Sequence, residues 1–402
     1  MSEASKRTRD VAVVGRGIQP VHVRQTNQRA ILSVISLQPG VSNAELARIT
    51  DLAPQTVSSV LADLESRALI TRGDVLRGKR GQPATPLYMN PVGAFCVGAE
   101  IGWRHIDVCL VGVGTQVLNR YHRDYAYPEP ARVFEELATA TRELCAALSP
   151  AERKRLTGLG LAAPVTITTP PVAMVGNQVE RDRWGRLDVA AAAEKATGLK
   201  VSRFIDGHAA CWAQRVAHPA PRPLAFAFLL LDTCMSGGIV SENRLWEGST
   251  GASGNLGEML ITDRNGRSRL THEMASLKAL QQRLGEAGFE LGAVTGPTVT
   301  PVAATILDSW IADAADALAQ TIINTTRVLE FEYAVIESAL PQALTARIVD
   351  ETRKHVARFT LPGPSTPPII GGHLGRSGAA QGAALLRMHR LFFSRDIAHM
   401  AL

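Results

Sequence analysis

The stretch that decides the N-terminal fold is Ser42-Asn43-Ala44-Glu45-Leu46-Ala47-Arg48-Ile49-Thr50-Asp51-Leu52-Ala53-Pro54-Gln55-Thr56-Val57-Ser58-Ser59-Val60-Leu61-Ala62-Asp63-Leu64. Ser42 stands three residues before Glu45, the spacing at which a hydroxyl and a carboxylate cap each other's backbone N–H groups and open a helix. Leu46 and Ile49 supply the inner face of that helix. Asp51-Leu52-Ala53 makes a turn, and Pro54 suits the first position of a second helix, where its missing N–H is no loss. Val57, Val60, Leu61 and Leu64 then recur at i, i+3, i+4 and i+7, one apolar stripe. Gln55 and Ser59 point the opposite way, with Thr56 and Ser58 on the flanks. A short helix, a tight turn and a longer helix with small polar residues outward is the helix-turn-helix pattern.

The flanks extend it. Upstream, Ala30, Ile31, Val34 and Ile35 predict a helix over residues 26–37, stopped by Pro39-Gly40. Downstream, residues 69–71 and 85–89 can pair as strands around the basic, glycine-rich run from Arg72 to Pro83. Such a hairpin after a recognition helix is a wing, and its cations suit phosphates or an adjacent minor groove. The candidate DNA-contacting residues are Ser42, Gln55, Thr56, Ser58 and Ser59 on the helices, and Arg77, Lys79, Arg80 and Gln82 on the wing. A scaffold used only for protein contacts is the competing reading, and the polar helix face together with the basic wing argues against it.

Charge points the same way. The chain of 402 residues carries a net charge of +6. Residues 1–90 hold 12 basic and 7 acidic side chains, and the remaining residues hold 31 and 30. A basic module on a nearly neutral body implies a polyanion partner for that module alone. The 46% hydrophobic and 20% charged composition excludes a largely disordered chain. No apolar run is long enough to span a bilayer, and the N-terminus lacks the apolar core of a secretory signal. Five scattered cysteines without a Cys-x-x-Cys pair argue against a disulfide framework and a thiolate zinc site. A cytoplasmic protein without membrane association is expected.

The body reads as two α/β lobes with a cleft between them. Alternating apolar residues at 95–101 and 106–110 suggest a hairpin that opens the first. A buried strand at 224–231 opens the second, followed by Asp232 to Gly238 and a glycine- and serine-rich loop at 248–257. A long helix over 302–329 and an alanine-rich helix near 379–386 complete it. The expected organisation is a basic tail at 1–22, a winged helix-turn-helix domain at 23–90, a first lobe at 91–205 completed by 385–402, and a second lobe at 206–384.

This order of modules resembles the ROK family of sugar-responsive repressors and sugar kinases, over nearly the whole chain from about Val23. Asn27 to Leu32, Ala44 to Arg48, Thr56 to Ser58 and Leu64-Glu65 are similar to the family's DNA-binding head. Lys79 to Ala84 is similar to its wing, with Gln82 where Arg is usual. Leu159 to Val165, Gly251 to Glu258 and the stretch from Leu374 to Ala384 resemble its body motifs. The resemblance implies an N-terminal winged helix-turn-helix followed by a two-lobed, actin-like ATPase-type sugar-kinase fold.

The departures from the family pattern shape the functional expectation. The first phosphate motif, Asp-x-Gly-Gly-Thr, falls on Glu100 to Arg104, where Trp103 and Arg104 replace glycine and hydroxyl. The second falls on Asp232 to Gly238 and loses three glycines, and the adenosine-side glycine pair falls near Glu337-Ser338. Backbone approach to phosphate needs bare glycine, so no kinase activity and no cofactor are expected. The family's zinc-binding His falls on Glu258 and its cysteine run on residues 266–272, so no metal site is expected there; Glu258 and His272 read as a hydrogen-bonded polar pair. The sugar side is better kept. The resemblance places effector-binding roles on Asp206, Asn255, Glu258 and Glu273, with Asn177 as a further contact. Carboxylates and amides suit vicinal hydroxyls because each makes two hydrogen bonds.

The leading expectation is a DNA-binding transcriptional regulator of carbohydrate-related genes, a repressor controlled by a sugar or sugar derivative. Its partners would be a palindromic double-stranded operator, the effector, and further copies in a homodimer or homotetramer. The alternatives are a sugar kinase with an accessory DNA-binding head, and an interaction protein whose body answers to a protein partner.

Overall fold

The computed structural model describes residues 20–75, 85–219, 221–359 and 366–394. The chain divides into two compact units: the residues up to Ala94 together with those from Met388 on, and Phe95–Arg387. Among the described residues no helix is long and apolar enough to cross a membrane.

In the first unit, α1 (Pro20–Leu37), α2 (Asn43–Thr50) and α3 (Pro54–Ser66) precede a two-stranded antiparallel sheet of β1 (Ile70–Arg72) and β2 (Leu87–Met89). Helix α1 begins six residues before the expected start. The expected tail at 1–22 therefore gives up its last three residues to helix, and its remainder lies outside the described residues. Ile31, Leu32 and Ile35 of α1 meet Leu46 of α2 and Val57, Val60, Leu61 and Leu64 of α3 in one buried set. Asp51 closes α2 in the left-handed region (φ 55°), a conformation that Asp tolerates. Gly40 at φ 90° then lets the chain turn so that Val41 bridges Leu87. That bridge ties the α1–α2 connection to β2.

The second unit holds two five-stranded sheets of the same order. In lobe 1, β3 (Phe95–Ile101), β4 (His105–Gly112) and β5 (Val117–Asp124) form an antiparallel meander, and β6 (Leu156–Ala163) and β7 (Val201–Ile205) add in parallel to give β5-β4-β3-β6-β7. Helices α4 (Pro130–Ala146), α5 (Gln178–Gly185) and α6 (Val189–Thr197) belong to this lobe. Strands β3 and β4 are buried along their whole length, whereas β5 is exposed except at the half-buried Val117 and Tyr121. Helix α7 (Asp206–Ala217) leads into lobe 2. There β8 (Phe226–Leu231), β9 (Met235–Ser241) and β10 (Arg244–Leu245) form the meander, a short pair β11 (Leu260–Thr262) and β12 (Ser268–Leu270) stands apart, and α8 (Leu277–Glu286) and α9 (Pro301–Thr326) follow. Then β13 (Tyr333–Ser338), α10 (Gln342–Ala357), β14 (Ile369–Gly371) and α11 (Gly378–Phe392) complete the order β10-β9-β8-β13-β14.

Glycines let α11 and α7 pack backbone to backbone. A Cβ on Gly98 or Gly160 would lie 2.1 Å from a carbonyl oxygen of α11, and one on Gly382 would lie 1.7 Å from the Ala209 carbonyl of α7. Arg387 locks the same helix by donating to the Thr157 carbonyl and the Ser202 hydroxyl. The boundary expected at 385 is therefore displaced: α11 packs on lobe 1 already from Ala380, while residues from Met388 group with the N-terminal unit, where Arg29 donates to the Ser394 carbonyl.

A first prediction follows from this packing. Gly382→Ala meets backbone on an opposing helix and is expected to destabilise by at least about 1–3 kcal/mol, the cost of overpacking a dense core. Gly285→Ala, in α8 with nothing within 4 Å of the new methyl, is expected to stabilise by about 0.5–1 kcal/mol. Urea midpoints of the two variants check the contrast.

Candidate effector site and DNA-binding face

On the head, the Ser42 hydroxyl accepts from the Glu45 N–H, and the Glu45 carboxylate accepts from the Ser42 N–H and hydroxyl. The capping box is formed as the spacing predicts. It engages the Ser42 side chain at the start of α2. Ser58 is likewise used, donating to the Pro54 carbonyl and accepting from Asn43 Nδ2, a link between α2 and α3. Gln55 and Ser59 are exposed and Thr56 is half-buried. Gln55 and Ser59 are thus the residues of α3 presented outward without a structural task among the described residues. Arg77, Lys79, Arg80 and Gln82 lie outside the described residues.

In the body, Asp206 is the first residue of α7, directly after β7, and accepts from the Gly207 N–H at 2.7 Å. Burial pushes its carboxyl up to about 6, and the charge of Asp232 adds to the rise. The sign of the linkage is that of an acid harder to ionise when folded. Stability falls as pH rises from about 4 to 6, and the penalty is complete above that window. Asp206→Asn should therefore stabilise the protein at pH 7.5, by about 1–2 kcal/mol after allowance for partial exposure, and by almost nothing near pH 3.5. Thermal melts across this range read it out. A carboxylate kept against stability is what a ligand-binding role would require.

Two residues on from Asp206, the buried His208 donates from Nε2 to the Ser253 carbonyl at 2.7 Å. This bond fastens the glycine-rich loop to α7 and brings Asn255 to the same region. The turn Leu256–Glu258 then packs on β9, where a Cβ on Gly257 would meet the Met235 carbonyl at 2.1 Å. Glu258 is exposed. His272 donates to the Gly257 carbonyl at 3.1 Å, in place of the expected bond to Glu258. Glu273, also exposed, accepts from the Leu270 N–H at 3.0 Å and closes the start of its own short helix. Asp206, Asn255, Glu258 and Glu273 thus lie on elements that these bonds link, and among the described residues no side-chain hydrogen bond joins one of the four to another. Asn177 is not on those elements: it caps α5, its side chain accepting from the Glu180 N–H. A surface cavity of about 290 Å³ lies between β5 and α4, lined by Arg123, Asp124, Tyr125, Glu129, Arg132 and Glu136 among others; no predicted effector residue borders it.

Residues 96–390 match the ROK family, and residues 24–81 match the MarR family. The chain belongs to the ROK family. It is 24% identical over 388 residues to the uncharacterized protein y4fQ of Sinorhizobium fredii, with 93% of each chain covered. It is 23% identical over 246 residues to the xylose repressor of Bacillus subtilis, covering 61% of this chain and 62% of that protein. Among solved structures, a ROK family transcriptional regulator described as a homolog of the E. coli MLC protein superposes with a TM-score of 0.68 at 19% identity, covering 92% of this chain and 97% of that one. A ROK family glucokinase from Streptomyces griseus, in complex with glucose and AMPPNP, superposes at 0.58 with 18% identity, covering 73% of this chain and 99% of that one. These likenesses establish the fold: a winged helix ahead of a two-lobed ROK body.

Within the ROK body, the phosphate-motif positions carry other tasks. The Trp103 ring is buried in the lobe 1 core and anchors the β3–β4 turn. Arg104 is held by the carbonyls of Ala126 and Met174. The two surviving glycines of the second motif serve packing: a Cβ on Gly237 would meet the Phe228 carbonyl at 2.6 Å, and one on Gly238 would meet Cys211 Cβ at 2.7 Å. On the adenosine side, the buried Glu337 carboxylate accepts from the Leu374 N–H at 2.8 Å. A Cβ on Gly372 would lie 2.5 Å from Glu337 Oε2, so the carboxylate fills that corner. Burial raises the Glu100 carboxyl, and Asp232 and Asp206 add to the rise. His105 is held protonated more strongly than usual: burial lowers it, but Glu100, Asp232 and Asp107 outweigh that.

Sequence reasoning missed His208 and the grouping of His105 with Glu100 and Asp107. For the second, the alternation of Glu100, His105 and Asp107 across a three-residue turn was the available signal.

Proposed function

We propose that this ROK chain is a sugar-responsive transcriptional regulator. Its winged helix binds double-stranded DNA through the outward face of α3 and the basic hairpin, and its body binds a sugar or sugar derivative around Asp206, Asn255, Glu258 and Glu273. One observation carries this reading. The chain joins a MarR-type winged helix, whose α3 presents the exposed Gln55 and Ser59, to a ROK body; the motif resemblance adds that Asp232, Ser236 and Glu337 fall where glycines are usual. The similarity to the Bacillus subtilis xylose repressor supports a carbohydrate effector. A palindromic operator bound by a dimer or higher assembly follows from the two-fold logic of such heads, whose half-sites lie about 34 Å apart.

The body is not a kinase in this reading, because Asp232 would repel a phosphate where the family pattern has glycine, and Trp103 and Ser236 replace further glycines of that pattern. A coupled assay with ATP and a panel of hexoses and pentoses is expected to show no turnover. Turnover that disappears in Asp206→Ala would establish the kinase alternative. The positive test is a thermal-shift screen of sugars and amino sugars: a binder at a hundredfold excess over its Kd stabilises by about 2.7 kcal/mol. A body that answers to a protein partner would give no shift with any sugar.

A further inference from the structure

Strands β3, β4 and β5 assemble a group of side chains that the regulatory reading does not use. The register pairs Glu100 with Asp107 and Asp107 with His122, and in the next row His105 with Asp124. Side chains two apart on a strand share a face, so these five residues stand together at one end of the sheet. Glu100, His105 and Asp107 are 2%, 6% and 5% exposed. His105 Nε2 lies 3.6 Å from Glu100 Oε1 and 3.5 Å from Asp107 Oδ2. Those separations exceed the usual hydrogen-bond range. His105 Nε2 thus stands at ion-pair distance from both carboxylates, and among the described residues the buried Glu100 Oε2, His105 Nε2 and Asp107 Oδ2 make no hydrogen bond.

Buried polar atoms left in this state point to a ligand between them. The spacing indicates which kind. Four ligands at about 2.0–2.2 Å from a tetrahedral ion are separated by about 3.3–3.6 Å. The potential ligand atoms of this trio lie within 4.8 Å of one another. Two carboxylates, with Asp206 and Asp232 close enough to act on the group, make a negative field that a divalent cation balances, the imidazole binding it as the neutral base. The surroundings are built to suit. His122 Nδ1 donates to Asp107 Oδ1 at 3.0 Å, which fixes that carboxylate and leaves its other oxygen directed at His105, the outer partner that metal-bound carboxylates commonly have. Gly102 makes room for the His105 ring, since a Cβ there would lie 2.7 Å from its Cε1.

We propose that Glu100, His105 Nε2 and Asp107 Oδ2 bind one zinc-class divalent cation in lobe 1, with a coordination position left open. The site is separate from the family's cysteine-based motif, whose positions in this chain carry no thiolate. It does not depend on the regulatory reading, and it holds whether or not the body binds a sugar. The competing occupant is a proton, an imidazolium shared by two carboxylates.

The test uses the full chain stripped with a chelator, then dialysed against Zn²⁺ and analysed for metal. One zinc per chain is expected. His105→Gln and Asp107→Asn should each weaken its binding at least about 100-fold, and His122→Gln about 10- to 100-fold. His272→Gln should leave it unchanged. Co²⁺ in place of Zn²⁺ should give the intense visible bands of tetrahedral coordination. Absence of zinc uptake by the unmodified chain overturns the proposal, as does undiminished binding in both His105→Gln and Asp107→Asn. Should those variants fail to fold, the unmodified chain with Co²⁺ decides: weak octahedral bands or none overturn it, and Glu100→Gln must abolish the intense ones.

Discussion

Asp206→Ala is expected to leave operator affinity unchanged while abolishing the effector's influence on it. Asp206 sits where β7 ends and α7 begins, and α7 is the helix that touches both β9 and α11 through bare backbone. A sugar gripped by Asp206 therefore pulls on the element that joins the two lobes. An effector changes DNA affinity only by its differential affinity for two states of the body, typically about 1–3 kcal/mol, or about 5- to 150-fold in Kd. With the carboxylate gone, that ratio should collapse to one. Operator titrations with and without effector measure it. A variant that still responds at the original effector concentration would place the pocket elsewhere.

The second large effect concerns the head. Replacing Arg77, Lys79 and Arg80 together by alanine should weaken binding to every DNA sequence and flatten the slope of log K against log salt by up to about 2.7, since each phosphate contact contributes about 0.9. Gln55→Ala should behave differently. Gln55 is exposed at the start of α3, and loss of a base contact costs about 1–3 kcal/mol at one position and leaves the salt slope alone. An unchanged slope in the triple variant would remove the wing from the interface. A Gln55→Ala variant with wild-type sequence preference would remove the start of α3 from base contact.

Periodicity made much of the fold legible. Val57, Val60, Leu61 and Leu64 are all buried as their spacing predicts, and the Ser42–Glu45 box forms. Strand β5 escaped notice because its sequence, Val-Leu-Asn-Arg-Tyr-His-Arg-Asp, is an edge strand with few apolar residues. The early start of α1 was hidden in a polar run that begins at Pro20. Residue types alone did not show the packing tasks: Arg104 is held by the Ala126 and Met174 carbonyls, and the Trp103 ring lies in the lobe 1 core. The Glu100–His105–Asp107 group needed one further step. Strand alternation applied across a three-residue turn would have put these residues on one face, but only the register shows that Glu100 and Asp107 are opposite one another. Asp206 came from the family resemblance, and the structure adds that it heads α7 directly after β7.

The central claim is that a sugar bound by the ROK body governs DNA binding by the winged helix. The most direct measurement is fluorescence anisotropy of the full chain on an operator selected from random DNA, at fixed salt, titrated with each sugar that shifts the melting temperature. Sequence-specific binding is expected, with a Kd that moves about 5- to 150-fold with one sugar in the unmodified chain and not in Asp206→Ala. Selection that enriches no sequence, or a sugar that binds the body tightly and leaves operator affinity unmoved, would contradict that claim.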